Sequence, residues 1–134
     1  MPKRNGLPPL PPASTRRWPW ALEKAAEDES PLVRREVASN PNTEPHVLSY
    51  LARDDNWVVR KNIGDHEATP SAALAALAGD HDRRVRRAAA ANQLTPTEAL
   101  LTLAADPHPP VRAAASANPN ISSAGKAATG LLAD

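Results

Sequence analysis

The sequence predicts an all-α fold, a right-handed α-solenoid of four tandem two-helix units. Three observations predict it. The dipeptide Val-Arg recurs at 33–34, 59–60, 85–86 and 111–112, each 26 residues after the last. Other columns keep the same step: Asp28, Asp54, Asp80 and Asp106; Leu22, Leu48, Leu74 and Leu100; Ala26, Ala52, Ala78 and Ala104; Ala25, Leu51, Leu77 and Leu103. The chain of 134 residues is 41% hydrophobic but contains no Phe, so its core must be built from Leu, Val and Ala, which suits closely packed helices better than stacked sheets. Self-similarity at such a period marks proteins whose units stack and share one apolar seam.

Taken in order, residues 1–16 open the chain as a proline-rich arm with Lys3 and Arg4 and no acid. Such a segment cannot build a core and is expected to be disordered or polyproline-II in character. Pro8 and Pro11 also satisfy the loose spacing of a ligand for an aromatic-lined groove, so a flexible arm and a recognition motif are both open. Residues 17–120 hold the four units. Trp18 and Trp20 stand at the start of the first helix, where an end cap would cover the apolar face of the first unit.

Within a unit the first helix follows Thr43, Thr69 or Thr95, whose hydroxyl is expected to accept from the free N–H groups of the first turn. Pro70 and Pro96 then take the first helical position, where a missing N–H costs nothing. Thr95 with Glu98 fits a capping box. Leu48, Leu51 and Ala52 form one stripe at i, i+3 and i+4. The second helix follows Ser30, Asn56, Asp82 or His108 and buries Val33 and Val37, Val59 and Ile63, Val85 and Ala89, or Val111 and Ala115. It is expected to stop at Asn40, Asn92 and Asn118 in the left-handed end conformation, with Pro41 and Pro119 preventing continuation. In the second unit Gly64-Asp65-His66 takes over that stop. Helices this short are not stable alone, so stability must come from neighbouring units. Residues 121–134, with Lys126 and Thr129 in columns that held Leu, read as a degenerate C-terminal cap.

The stretches "LAGDHDRRVRRAAAANQLTPTEAL" and "LAADPHPPVRAAASANPN" resemble the leucine-rich repeat variant family. They are also similar to the HEAT repeat, in which an Asp in the turn and an Arg six residues later recur. The corresponding pairs here are Asp28/Arg34, Asp54/Arg60, Asp80/Arg86 and Asp106/Arg112. The resemblance spans roughly residues 17 to 121 and implies a stacked helical architecture. It leaves one layer open to 3₁₀ geometry, which that family alternates with α. A cysteine-held iron–sulfur cluster occurs in that family, but this chain has no Cys, so no cofactor is implied. Fold alone assigns no chemistry.

The run Arg83, Arg84, Val85, Arg86, Arg87 separates on a helix. With Val85 buried, Arg84 and Arg86 fall on opposite flanks and Arg83 and Arg87 point outward. Arg34, Arg60, Arg86 and Arg112 are assigned to a structural ladder with the repeated Asp, a bidentate bond tying the turn of one unit to the second helix of its neighbour. What remains for a partner is Arg35, Trp57, Lys61, Arg83, Arg84 and Arg87. That set is equally a solvated basic face. Trp57 stands where other units have Pro31, Arg83 and Pro109, either as an exposed anchor or packed over its own turn.

Net charge is +1, which gives no global pull toward nucleic acid or membrane. No catalytic constellation is present. His46, His66, His81 and His108 share no ligand spacing, so no metal is expected, and Asp54-Asp55 lies in a turn without an evident pocket. No cofactor or small-molecule substrate is indicated, and no apolar run reaches membrane length. The expected protein is cytoplasmic and non-catalytic, a scaffold for another protein with an acidic surface. Nucleic acid is the alternative partner, by analogy with HEAT-like repair glycosylases whose excision-site carboxylate has no counterpart here.

Overall fold

Seven-residue and nine-residue helices alternate along the chain, and each kind recurs at the 26-residue step. The computed structural model describes residues 19–121. It contains α1 (Pro19–Ala25), α2 (Pro31–Ser39), α3 (Pro45–Leu51), α4 (Trp57–Asp65), α5 (Ser71–Leu77), α6 (Arg83–Ala91), α7 (Thr97–Leu103) and α8 (Pro109–Ala117), with no strand among the described residues. The proline-rich arm, Trp18 and the C-terminal cap, apart from Ile121, lie outside the described residues. Both sets of helices are α-helical. The 3₁₀ geometry left open by the sequence is limited to single bonds at helix ends and turns: Glu27 and Asp28, Arg53 and Asp54, Gly79 and Asp80, and Ala105 and Asp106 donate backbone N–H groups to carbonyls three residues back at the ends of the short helices, and Asn40, His66, Asn92 and Asn118 do so at the ends of the long ones.

The long helices α2, α4, α6 and α8 pack one against the next, and each short helix packs on the long helix of its own unit. The predicted apolar stripes meet between them. Leu22, Leu48, Leu74 and Leu100 are buried, as are Leu51, Leu77 and Leu103, and Val59, Val85 and Val111 face them at 0% exposure. Val33, in the first unit, is only partly covered. Burying a Leu or Val side chain contributes about 1.5–3 kcal/mol, so the seam outweighs the poor intrinsic stability of two-turn helices.

Capping differs from the sequence expectation. Pro70 and Pro96 are N-cap residues rather than first helical residues, and Glu44 holds the same place in α3. None of the three short helices α3, α5 and α7 receives a side-chain cap, so the proposed capping box of Thr95 and Glu98 does not form. The threonines act backwards instead. Thr43 Oγ1 donates to Val37 O at 2.7 Å, Thr69 to Ile63 O at 2.7 Å and Thr95 to Ala89 O at 2.5 Å. Each adds a second donor to a last-turn carbonyl of the preceding long helix, which lacks an i+4 partner and accepts only from the N–H three residues on, at Asn40, His66 and Asn92. Of the long helices, α4 and α6 have side-chain N-caps. Asn56 Oδ1 accepts from Val58 N–H, and Asp82 Oδ1 accepts from Arg84 N–H.

The stops also correct the expectation. Asn40, Asn92 and Asn118 are extended, with φ of −77°, −76° and −71°, not left-handed. Their side chains explain the column. Oδ1 accepts from the N–H two residues on, at Asn42, Leu94 and Asn120. Nδ2 of Asn92 donates to Gly64 O and His66 O, and Nδ2 of Asn118 to Ala90 O and Asn92 O, all in the preceding unit. His66 occupies the same column and makes two of these three bonds: Nδ1 accepts from Ala68 N–H at 3.0 Å, and Nε2 meets Asn40 O at 2.8 Å. Because Nδ1 is an acceptor, Nε2 carries the proton. Gly64 does not end α4. It lies inside the helix, where an added Cβ would meet Ala88 Cβ at 2.8 Å, so it permits close approach of α4 and α6.

Candidate functional site

The Asp–Arg ladder fixes one edge of the long-helix layer and thereby decides which arginines are left outside it. Each repeated Asp first folds its own turn, Oδ1 accepting from the N–H of Ser30, Asn56, Asp82 or His108 at 2.8–2.9 Å. Arg34 Nε then donates to Asp54 Oδ2 at 2.7 Å, Arg60 Nε to Asp80 Oδ2 at 2.8 Å and Arg86 Nε to Asp106 Oδ2 at 2.7 Å, each with Nη2 reaching Oδ1 at 3.3 Å. The carboxylate comes from the following unit. Within a unit the pairs Asp28/Arg34, Asp54/Arg60, Asp80/Arg86 and Asp106/Arg112 join only through Nη1 and the Asp backbone carbonyl. The ladder therefore has three rungs, with the Asp28 carboxylate and the Arg112 fork outside it.

Burial pushes the Asp54 and Asp106 carboxyls upward, but the bonds from Arg34 and Arg86, the backbone N–H donors and the nearby charge outweigh it and leave both below the ordinary carboxylate value. The same side-chain bonds raise Arg34 and Arg86. These guanidiniums are committed to holding units together.

Outside the ladder, Arg35, Arg83 and Arg87 are exposed and make no ion pair among the described residues. The other three candidates are tied locally. Lys61 Nζ meets Asp65 Oδ2 at 2.8 Å. Trp57 is half-buried against the core, so it is not the projecting side chain that helical geometry alone suggests. The Arg84 guanidinium lies 3.4 Å from the centroid of the Trp57 ring, joining α6 to α4 across the layer. Arg84 also grips Asp82, with Nη2 to Oδ2 at 2.8 Å. That side-chain bond is the main reason the Asp82 carboxyl lies far below its usual range, against the opposing effect of burial. Arg84 and Trp57 thus form one flat, half-exposed platform beside Arg83 and Arg87.

Two open grooves run along the turns. One, of about 560 Å³, is lined by His81, Arg83, Arg84 and His108 and carries the basic end. Nδ1 of His108 is buried there without a hydrogen-bond partner. The other, of about 820 Å³, is lined by Glu27, Asp28, Glu29, Asp55 and the exposed Tyr50. The turn at Asp54-Asp55 therefore does border a groove, against the sequence expectation. The two sides of that groove come from turns 26 residues apart, and the repeat alone signals their proximity. Among the described residues no three His, Asp or Glu side chains converge as a metal site, and no helix is long and apolar enough to cross a membrane.

No family model matches the chain, and no curated protein matches it.

Proposed function

We infer that this chain is a non-catalytic interaction module. In this reading it is a right-handed α-solenoid of four 26-residue units, similar to leucine-rich repeat variant and HEAT-like proteins, and it offers the face of α2, α4 and α6 to an acidic protein surface. The observation that carries the reading is the contrast within one set of basic residues. Three arginines are consumed by the ladder, whereas Arg35, Arg83 and Arg87 stay exposed on the long-helix face beside the Trp57–Arg84 platform. Lys61 continues the column of Arg35 and Arg87, with Asp65 as a local counter-ion that a partner carboxylate would replace. Large aromatic and Arg side chains are enriched where binding energy concentrates. The stacked long helices and the bonds they share between units support the solenoid.

The test is capture of partners from lysate by the wild-type chain and by Arg35→Glu/Arg87→Glu. Both positions are exposed, so the variant is expected to melt like wild type and to lose the captured protein. Retention of every captured protein by the charge-reversed chain would remove this face from consideration. Titration with labelled DNA and RNA across a salt series provides the comparison. Binding with a steep salt slope, weakened in the same variant, would shift the partner class to nucleic acid.

A further inference from the structure

The ladder is unfinished at both ends, and the unfinished ends are complementary. Arg112 is set like the other ladder arginines, with Nη1 donating to Asp106 O at 2.7 Å, but no carboxylate meets its Nε or Nη2 among the described residues. Twenty residues on, where a further rung would place an acid, the chain has Leu132. Asp28 is set like Asp54, Asp80 and Asp106, its Oδ1 accepting from Ser30 N–H at 2.8 Å, but no guanidinium meets its carboxylate among the described residues. Twenty residues before it stands Pro8. One half-rung is a positioned donor fork, and the other is a positioned acceptor.

Burial follows the same division. The carboxylates inside the ladder are 6–8% exposed at the side chain, whereas Asp28 and Arg112 are both exposed. Ala38, Gly64 and Ala90 form the small-residue column that receives the next long helix, and all three are buried. Ser116, the fourth member of that column, is exposed, so this side of α8 is uncovered among the described residues. Charge agrees as well. Glu27 and Glu29 flank Asp28 and make its end acidic, while the Arg112 side of α8 carries no acid.

We propose that copies of this chain associate head to tail, Arg112 of one copy closing a fourth kind of rung on Asp28 of the next. The contact joins two different surfaces, so it leaves one free half-rung at each end of any pair and continues into longer assemblies. It is separate from the long-helix face assigned to an acidic partner. A rung between chains must offset lost translational freedom that a rung within one chain does not, so the association is weak and concentration-dependent. It weakens with added salt because both half-rungs are exposed.

Sedimentation of the full chain at low salt tests this. The wild-type mass is expected to rise with concentration past that of a dimer. Arg112→Ala and Asp28→Asn are each expected to stay monomeric, the latter keeping an oxygen for Ser30 N–H. Mixed in equal amounts, they retain one intact head and one intact tail and are expected to form a two-copy species that grows no further. Circular dichroism melts verify folding, and Glu27→Lys/Glu29→Lys is a second probe of the acidic end, expected to weaken assembly without touching the rung. A wild-type chain that is monomeric at every concentration would overturn the proposal. So would assembly that persists in Arg112→Ala. A fall in melting temperature for Arg112→Ala as large as that for Arg60→Ala would show the fork already closed within its own chain, and would overturn it equally.

Discussion

Arg60 and Asp80 stand twenty residues apart and form the most enclosed rung of the ladder, Nε to Oδ2 at 2.8 Å with both side chains 8% exposed. The same guanidinium donates to Asp54 O at 2.7 Å, so one side chain ties α4 both to its own turn and to the next. Truncating it strands a carboxylate that α4 and the turn before α6 enclose. Arg60→Ala is expected to cost about 2–4 kcal/mol, whereas Arg87→Ala, exposed on the neighbouring helix, stays within about 0.5 kcal/mol. Lys at position 60 supplies charge without the fork and should recover only part of the loss. Chemical denaturation of the three variants checks the order. Equal and negligible losses for Arg60→Ala and Arg87→Ala would reduce the rung to decoration.

Acid should undo the Arg34–Asp54 and Arg86–Asp106 rungs of the ladder. The carboxyls of Asp54 and Asp106 lie below their ordinary value of 3.8 in the folded chain, so they bind protons less readily than in the unfolded chain. Their contribution is complete above the unfolded value and is lost as pH falls through the folded one. Melting temperature is therefore expected to hold from neutral pH down to about 4 and to drop below it. Asp106→Asn should melt lower at neutral pH yet lose less on acidification than wild type. An identical acid slope in both chains would place the sensitivity elsewhere.

Much of this is legible in the sequence, for reasons that divide by interaction range. The columns at 26-residue spacing locate the eight helices of the described residues, because a buried stripe constrains residue type at every copy. The Asp and Arg columns point to a ladder between neighbouring units, but not to the missing fourth rung, since a rung needs a unit on each side. Thr43, Thr69 and Thr95 read as N-caps in the sequence because a Thr close to a Pro suits either the start of a helix or the end of the one before. The choice depends on where the Val37, Ile63 and Ala89 carbonyls lie in space. Helical projection alone places Trp57 on the outside, and it carries no information about Arg84 on the neighbouring helix.

His66 offers a direct test of the polar column at the helix stops. It replaces Asn at the end of α4 and reproduces two of the three bonds that Asn92 and Asn118 make, one with each ring nitrogen. His66→Asn is expected to lie within about 1 kcal/mol of wild type, whereas His66→Leu should lose about 1–3 kcal/mol by leaving Ala68 N–H without its acceptor and Asn40 O with Thr43 N–H alone. Thermal melts decide it. An apolar substitution tolerated as well as Asn would mean the column is filled for shape rather than for hydrogen bonding.

Gly64 lets α4 and α6 approach closely, with no room for a side chain between them. Alanine there gains helix propensity worth about 1 kcal/mol, but its Cβ would sit 2.8 Å from Ala88 Cβ, a methyl fixed to the α6 backbone with no rotamer to escape into. Relief requires α4 and α6 to move apart, which opens the seam that Val59, Ile63, Val85 and Ala89 fill. The cost of overpacking, about 1–3 kcal/mol, should therefore exceed the propensity gain, and Gly64→Ala is expected to be destabilised. Removing the opposing methyl separates the two effects. Gly64→Ala/Ala88→Gly should recover stability relative to the sum of the single changes, and a double-mutant cycle in denaturant measures that coupling. Strict additivity would mean the α4–α6 spacing is set by something other than this contact.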